Sequence, residues 1–370
     1  MSNAVRYGIA AVVLFIAVAI VVAFSLTSGG GSGVNPLASS PSQPAVTVKG
    51  YYGGEKSNFL KNPRVVEILK DRYGITVDGR KAGSTEMVNS IPLTPQDDFI
   101  WPSNMVSLAI YKEKGGTISG SANIFNSPLV LYTHEPIRQA LETQGIVQKI
   151  DNTYYVVDMA KLVGMVADKT KWKDIGLPQL SGSVQIRTTD PNFSNSGFMF
   201  AGLLASIINN GELPDGTSIQ PHLATLQDFF KKLGFMEQSS SDLFQQYLTT
   251  GMGGKPIVAG YESQLIEFKL ERPDLADQLG KYVALYPMPT VWSSHPFIAR
   301  TSNGKRLLEA LKDPEIQKIA WTQHGFRSGL GATSDPAAVG IASIPQDITA
   351  VVDMPSPEVM EKILDTLAGK

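Results

Sequence analysis

Apolar and polar positions along this chain fall into three regimes. Ile9 to Leu26 (IAAVVLFIAVAIVVAFSL) is an unbroken run of 18 residues in which Ser25 is the single polar one. At about 1.5 Å per residue it spans most of a ~30 Å hydrocarbon core. Residues 29 to 46 carry glycines (Gly29, Gly30, Gly31, Gly33) and then Pro36, Pro41 and Pro44, a linker that starts flexible and stiffens. From Val46 onward, short β-branched stretches alternate with stretches of helical period. The pattern predicts strands at Val46–Tyr52, Ile75–Ala82, Asp98–Trp101, Ala122–Thr133, Tyr154–Val157, Ser183–Thr189, Ile257–Gly260, Tyr282–Tyr286 and Pro296–Ala299. It predicts helices at Ser57–Tyr73, from Ser84 as cap, at Asn104–Lys112, Glu135–Thr143, Met159–Ala167, Ser196–Asn209, Leu223–Leu233 and Ser241–Leu248, from Glu262, and at Lys305–Leu311, Pro314–Gln323 and Pro357–Leu367.

Strands alternating with helices imply an α/β fold of parallel sheets covered on both faces. Ligands of such sheets bind where strands end and helices begin. Those junctions read Gly53-Gly54-Glu55-Lys56-Ser57, Gly83-Ser84-Thr85, Trp101-Pro102-Ser103-Asn104, Asn126-Ser127, Asp190 to Gly197 (DPNFSNSG) and Gly260-Tyr261-Glu262-Ser263. Five of the six place hydroxyl or amide side chains near a helix start. Ordinary helix capping accounts for any one of them. Their repetition in both halves points instead to several helix ends converging on a polar ligand.

Composition narrows the function. Of 370 residues 43% are hydrophobic and 18% charged, which excludes disorder over most of the chain. The balance of 32 basic against 34 acidic residues lacks the excess of a nucleic-acid binder, so no nucleic acid is expected. No cysteine is present, which excludes thiol nucleophiles, disulfides, cysteine-held metals and a lipid-modified cysteine. Arg6 precedes the apolar run and the next charge is Lys49. This bias orients the N-terminus to the cytoplasm and exports the rest. We expect residues 1–28 to be an uncleaved single-pass membrane anchor, with a cleaved signal as the alternative, and the main domain to be extracytoplasmic.

Catalytic signatures are weak. His134, His222, His295 and His324 share no metal-ligand spacing and read as surface or hinge residues. Ser302-Asn303-Gly304-Lys305 has S-x-x-K spacing without its companion motifs, and the serine reads as a helix cap. Gly325 to Gly331 (GFRSGLG) follows a helix rather than a strand, against a dinucleotide site. No enzyme, metal or cofactor is expected.

Four stretches, in their order and spacing, carry a resemblance: SPLVLYT (Ser127–Thr133), TDPNFSNSGFMFAGLLA (Thr189–Ala205), LYPMPTVWSSHPFIA (Leu285–Ala299) and WTQHGFR (Trp321–Arg327). Over roughly Ala45 to Ile348 the chain resembles the two-lobed type 2 periplasmic solute-binding proteins of ABC importers, in their sulfate- and molybdate-like branch. The resemblance implies a lobe at 47–133, a second at 134–286 and a return to the first at 287–370. Each lobe would be a sheet flanked by helices, and a small polar solute would be held between them for an ABC permease. Carried over to this chain, the ligand residues would be Ser57, Ser84, Thr85, Ser103, Ser127, Ser194, Asn195, Ser196, Tyr261 and Glu262. Glu86, Asp190 and Glu262 near the cleft argue against a small oxyanion. Trp101, Tyr52 and Tyr261 would either stack on a larger ligand or pack beneath the cleft. The alternative function is a sensory or protein-interaction domain of an envelope complex that uses this fold without transport.

Overall fold

The computed structural model describes residues 44–275, 281–331, 334–341 and 343–370. The proposed anchor at 1–28 and nearly all of the linker lie outside the described residues. Among the described residues no helix is long and apolar enough to cross a membrane.

The strands are β1 (Val46–Tyr52), β2 (Ile75–Lys81), β3 (Phe99–Trp101), β4 (Gly120–His134), β5 (Val147–Ile150), β6 (Tyr154–Asp158), β7 (Ile257–Tyr261), β8 (Tyr282–Met288), β9 (Trp292–Ala299) and β10 (Arg327–Ser328). They join in the order β2-β1-β3-β9-β4-β8-β6-β5, with β7 and β10 also paired to β4. The fifteen-residue β4 organises the whole. Its first half pairs with β9 and β10, and its second half with β7 and β8. One strand therefore serves two lobes. β1, β2, β3, β9 and β10 belong with its start, and β5 to β8 with its end.

The expectation of purely parallel sheets is overturned. β1 is parallel to β2 and β3, and β6 to β8. β4 is antiparallel to β7, β8, β9 and β10, as is β3 to β9 and β5 to β6. A run of buried apolar residues shows that both faces are covered but carries no direction. Ser183–Thr189 is not a strand either. Val184 N–H donates to Thr170 and Arg187 N–H to Ile257, so its backbone bonds are divided between two partners and no ladder forms.

The helices are α1 (Ser57–Lys61), α2 (Pro63–Tyr73), α3 (Ser84–Asn89), α4 (Met105–Glu113), α5 (Glu135–Thr143), α6 (Met159–Ala167), α7 (Asn195–Ile208), α8 (Leu223–Lys231), α9 (Ser240–Gly254), α10 (Glu262–Glu271), α11 (Ser302–Ala310), α12 (Pro314–His324) and α13 (Pro357–Leu367). The single helix expected over Ser57–Tyr73 is two. Pro63 disfavours helical backbone at Asn62, which sits at φ −58, ψ 123 and caps α2 by accepting from Arg64 N–H at 3.0 Å. Gly74, at φ 64, ends α2 in the left-handed conformation that favours glycine. Two expected caps move by one residue. Gly83 caps α3 with Ser84 already helical, and Thr301 rather than Ser302 caps α11.

Each lobe has its own core. In the first, α1, α2, α11 and α12 cover one face of the sheet, and α3 and α4 the other. In the second, α5, α6, α7 and α8 cover one face, and α9 and α10 the other. The last helix leaves the elements that precede it: Val359, Met360 and Ile363 of α13 sit in the core of α7 and α8. Phe125, fully buried on β4, anchors the first lobe's core. It stacks on Phe326 at 4.9 Å, meets Phe59 edge-on at 4.9 Å and lies 5.3 Å from Trp101. Phe125→Ala removes a ring on three neighbours and should cost about 3–5 kcal/mol in a denaturant titration. A loss below about 1 kcal/mol would show that this cluster is not what anchors β4.

Candidate functional site

Four junctions deliver side chains to one place. The turn after β1 supplies Gly53 to Lys56, and the residues after β3 supply Ser103 and Asn104. β9 supplies Ser293 and His295, and the start of α7 with the end of β7 supplies Ser194 to Gly197 and Tyr261. The close approach at α7 needs Gly197: a Cβ there would lie 2.2 Å from the Thr189 carbonyl oxygen.

The floor of the site is a buried charge cluster. Lys56 is fully buried and its Nζ donates to Glu55 Oε1 at 2.5 Å and Ser103 Oγ at 2.7 Å. It also lies 3.1 Å from His295 Nδ1 and 5.5 Å over the Trp101 ring. Ser103 Oγ donates to Glu55 Oε1. Burial by itself would raise the Glu55 carboxyl, but the Lys56 charge and the hydrogen bonds from Lys56 and Ser103 outweigh it and hold its pKa at about 2. Burial lowers the Lys56 ammonium, with Glu55 opposing. Burial and then the Lys56 charge push His295 well below the usual imidazole range, so the ring is neutral. Facing an ammonium, Nδ1 accepts. Nε2 then carries the proton and donates to Ser293 Oγ at 3.2 Å, while that hydroxyl donates to the Ser103 carbonyl at 2.7 Å.

This floor reaches the second lobe through Asn195. Its Nδ2 donates to the Ser103 carbonyl at 2.9 Å and to Tyr261 Oη at 2.8 Å, and its Oδ1 accepts from Asn104. Burial, then the Glu55 charge, raises the Tyr261 phenol well above its usual value, so it stays protonated. Beside this seam lies a cavity of about 190 Å³ lined by Glu55, Lys81, Gly83, Ser84, Phe193, Ser194, Asn195, Ser239, Ser240 and Tyr261. The starts of α3, α7 and α9 all open onto it; neither Ser194 nor Ser239 caps its helix backbone with its side chain, and Ser194 Oγ lies 3.4 Å from Ser196 Oγ. Glu55 Oε2 accepts no hydrogen bond among the described residues.

The ten sequence-derived candidates separate. Ser84, Ser194, Asn195 and Tyr261 line this cavity together. Ser103 lies directly behind it on Lys56. Ser57 donates to the Gly54 carbonyl at 2.6 Å and borders a neighbouring cavity with Asn58 and Gln264. Thr85 is half-buried beside Ser84. Ser127 Oγ accepts from Ser263 N–H at 3.1 Å, and Ser196 Oγ pairs with Thr189 Oγ1 at 2.8 Å. Glu262 is buried in a two-pronged pair with Arg327 (Nε to Oε2 2.6 Å, Nη2 to Oε1 2.9 Å) and accepts from Tyr286 at 2.7 Å. The other two acids near the cleft are also engaged: Glu86 Oε2 accepts from Gly83 N–H and Asp190 Oδ1 from Asn192 N–H. Trp101 and Tyr52 are buried, Trp101 with Nε1 donating to the His295 carbonyl.

Sequence reasoning missed Glu55, Lys56, Ser293 and His295 as a connected set, and separately the pairing of Arg327 with Glu262. The reading of all four histidines as surface or hinge residues needs correction: His134, His295 and His324 are buried, with His295 on β9 at the floor of the site. The available signal was a Glu-Lys pair in the glycine turn at a strand end, with a histidine inside an apolar strand.

These shifts have a sign. His295 is depressed from 6.5, so the unfolded chain takes up its proton first and stability falls as pH drops through about 6.5. Glu55 is depressed from 4.5 to about 2, so its contribution, on the order of 3 kcal/mol, is complete above about pH 4.5 and lost toward pH 2. Denaturant midpoints against pH should fall in two stages. His295→Gln should flatten the upper stage and Glu55→Gln the lower, with Glu55→Gln also less stable at pH 7 because Lys56 loses its partner. Parallel pH profiles for all three proteins would refute this assignment.

No protein-family model matches the sequence, and no curated protein matches it. Solved structures do. Iron-bound HitA from Pseudomonas aeruginosa superposes with a TM-score of 0.56 at 13% identity, over 87% of this chain and 97% of that one. The ferric binding protein from Campylobacter jejuni gives 0.55 at 12%, over 87% and 97%. The periplasmic binding protein AfuA from Actinobacillus pleuropneumoniae, with fructose-6-phosphate bound, gives 0.54 at 14%, over 89% and 98%. At such identities the likeness is one of fold: a mixed α/β sheet with flanking helices, as in the periplasmic binding proteins.

Proposed function

We propose that this chain is an extracytoplasmic solute receptor, held to the membrane by residues 1–28, that captures a small polar solute between its lobes and delivers it to an ABC permease. The observation that carries the reading is the cavity at the lobe seam. Backbone and hydroxyl donors at the starts of α3, α7 and α9 converge there with Lys81, while Glu55 offers an unused carboxylate oxygen. Such walls suit a solute that carries an anionic group and hydrogen-bond donors, hydroxyl or ammonium, on one small frame. A bare ferric ion is a poorer fit. Glu55 is the one carboxylate among the lining residues and is already paired, and no group of three His, Asp or Glu among the described residues could hold a metal ion. The shared strand β4 supplies the connection about which two lobes can close.

A thermal-shift screen of the purified chain against sugar phosphates, amino acids, sulfate, phosphate and ferric citrate tests this. A solute at about 1,000 times its dissociation constant should add about 4 kcal/mol, several degrees in Tm. Ser194→Ala should weaken that binding by about 1–3 kcal/mol and leave the Tm without solute unchanged. A flat screen on protein shown by mass spectrometry to carry no bound solute would favour the envelope-interaction reading.

A further inference from the structure

The second lobe holds another cavity, of about 370 Å³, that shares no residue with the seam. It lies between α6, α7 and α8, closed on one side by Ser183 to Gln185. Its walls are aliphatic and aromatic: Val163, Leu204, Leu226 and Leu233 are buried there, and Phe229 is packed against the same core. Thr225, Gln185 and Asp228 add polar groups to the lining, but most of it is apolar, so burying a hydrocarbon chain there is favourable. Its size falls in the range of small-molecule pockets.

Two further features give the cavity a direction. Gly164 lies inside α6 and lines the cavity, and a Cβ built on it would meet nothing within 4 Å. An interior helix glycine costs about 1 kcal/mol against alanine, and here no packing contact requires it. The glycine leaves open space that a larger side chain would fill. At the mouth stand Lys169 and Lys232. Lys232 is paired with Asp228, whereas Lys169 is exposed and makes no ion pair among the described residues. An apolar recess with an uncommitted ammonium at its rim is complementary to a chain that is apolar along its length and negative at one end.

We propose that this cavity is a second ligand site that binds a free single-chain carboxylate amphiphile, its alkyl chain between α6, α7 and α8 and its carboxylate at Lys169. The site is independent of the solute cleft, so either assignment can fail without the other.

The test uses decanoate with a diazirine at its terminal carbon, photolysed with the full-length chain and mapped by mass spectrometry. Mapping matters because the apolar run at residues 9–26 also offers a surface to an amphiphile. Labelling should fall in residues 159–169 and 223–233 and be competed by plain decanoate. Gly164→Leu fills the space and should reduce labelling there at least tenfold, at a Tm equal to or above that of the unaltered chain. Lys169→Glu should weaken competition by decanoate severalfold, and Lys169→Arg should not. Labelling confined to other segments, or undiminished in Gly164→Leu, overturns the site. Equal competition by decan-1-ol overturns the carboxylate assignment. A lowered Tm in Gly164→Leu shows that the space is not free, and overturns the cavity argument directly.

Discussion

Lys56 places an ammonium out of contact with water, with the Glu55 carboxylate almost as deeply buried beside it. Removing each ion from water costs several kcal/mol, which only close geometry and satisfied neighbours can repay. That demand shapes the surroundings. Ser103 must both accept from the lysine and donate to the glutamate. His295 must stay neutral, because a second cation beside Lys56 would be repelled. Its remaining proton goes to Ser293, whose own proton goes to the Ser103 carbonyl. The turn after β1, the residues after β3 and the middle of β9 are thereby tied at one point. Replacing any one of these groups leaves a charge or a donor without a partner.

The same network explains where the lobes meet cheaply. The Ser103 carbonyl accepts a second hydrogen bond from Asn195 at the start of α7, and Asn104 donates to the same side chain. These contacts are polar and few. Water can replace each at a net cost of about 1 kcal/mol, whereas parting either lobe's apolar core would cost far more. The seam is the low-energy place to open. On another side the lobes share apolar contact. Val106 of α4 is buried within the second lobe's core, and α13 touches α4 while resting on α8. A hinge motion that keeps β4, this contact and the buried Glu262–Arg327 pair between α10 and β10 intact would open the Asn195 side.

Much of this was legible in the sequence wherever a local rule decides. α5, α6 and α13 follow from periodicity and flanking residues, and their bounds agree with the structure. Pro63 shows why a local rule still needs weighting: the helical period runs straight across a proline that breaks it. Direction and partner are different matters. Nothing in an apolar run such as that of β4 says that it would be antiparallel to four strands, because burial on both faces looks the same either way. β5 was missed since Val147–Ile150 is too short to show a period. In the site, hydroxyl and amide residues near helix starts pointed to Ser84, Ser194 and Asn195, which line one cavity. Pairings between residues as distant as Lys56 and His295, or Glu262 and Arg327, have no local signature at all.

Those distant pairings also change what the cleft's charge means. Counted along the sequence, Glu86, Asp190 and Glu262 make the neighbourhood acidic and argue against an anion. In the fold each carboxylate is already occupied. Glu86 accepts from the Gly83 N–H, Asp190 from the Asn192 N–H, and Glu262 from Arg327 and Tyr286. Among the residues that line the cavity, Glu55 is the one acid, set against several helix-start donors and Lys81. Because Lys56 neutralises Glu55 from behind, the charge left on the cavity wall is the positive one of Lys81, beside a row of polar donors. On the proposed reading, such a wall favours an anionic group at Lys81 and discriminates further by the arrangement of donors and acceptors. A solute with both kinds of group in the right places gains at both ends, while a simple ion gains at one end and is opposed at the other.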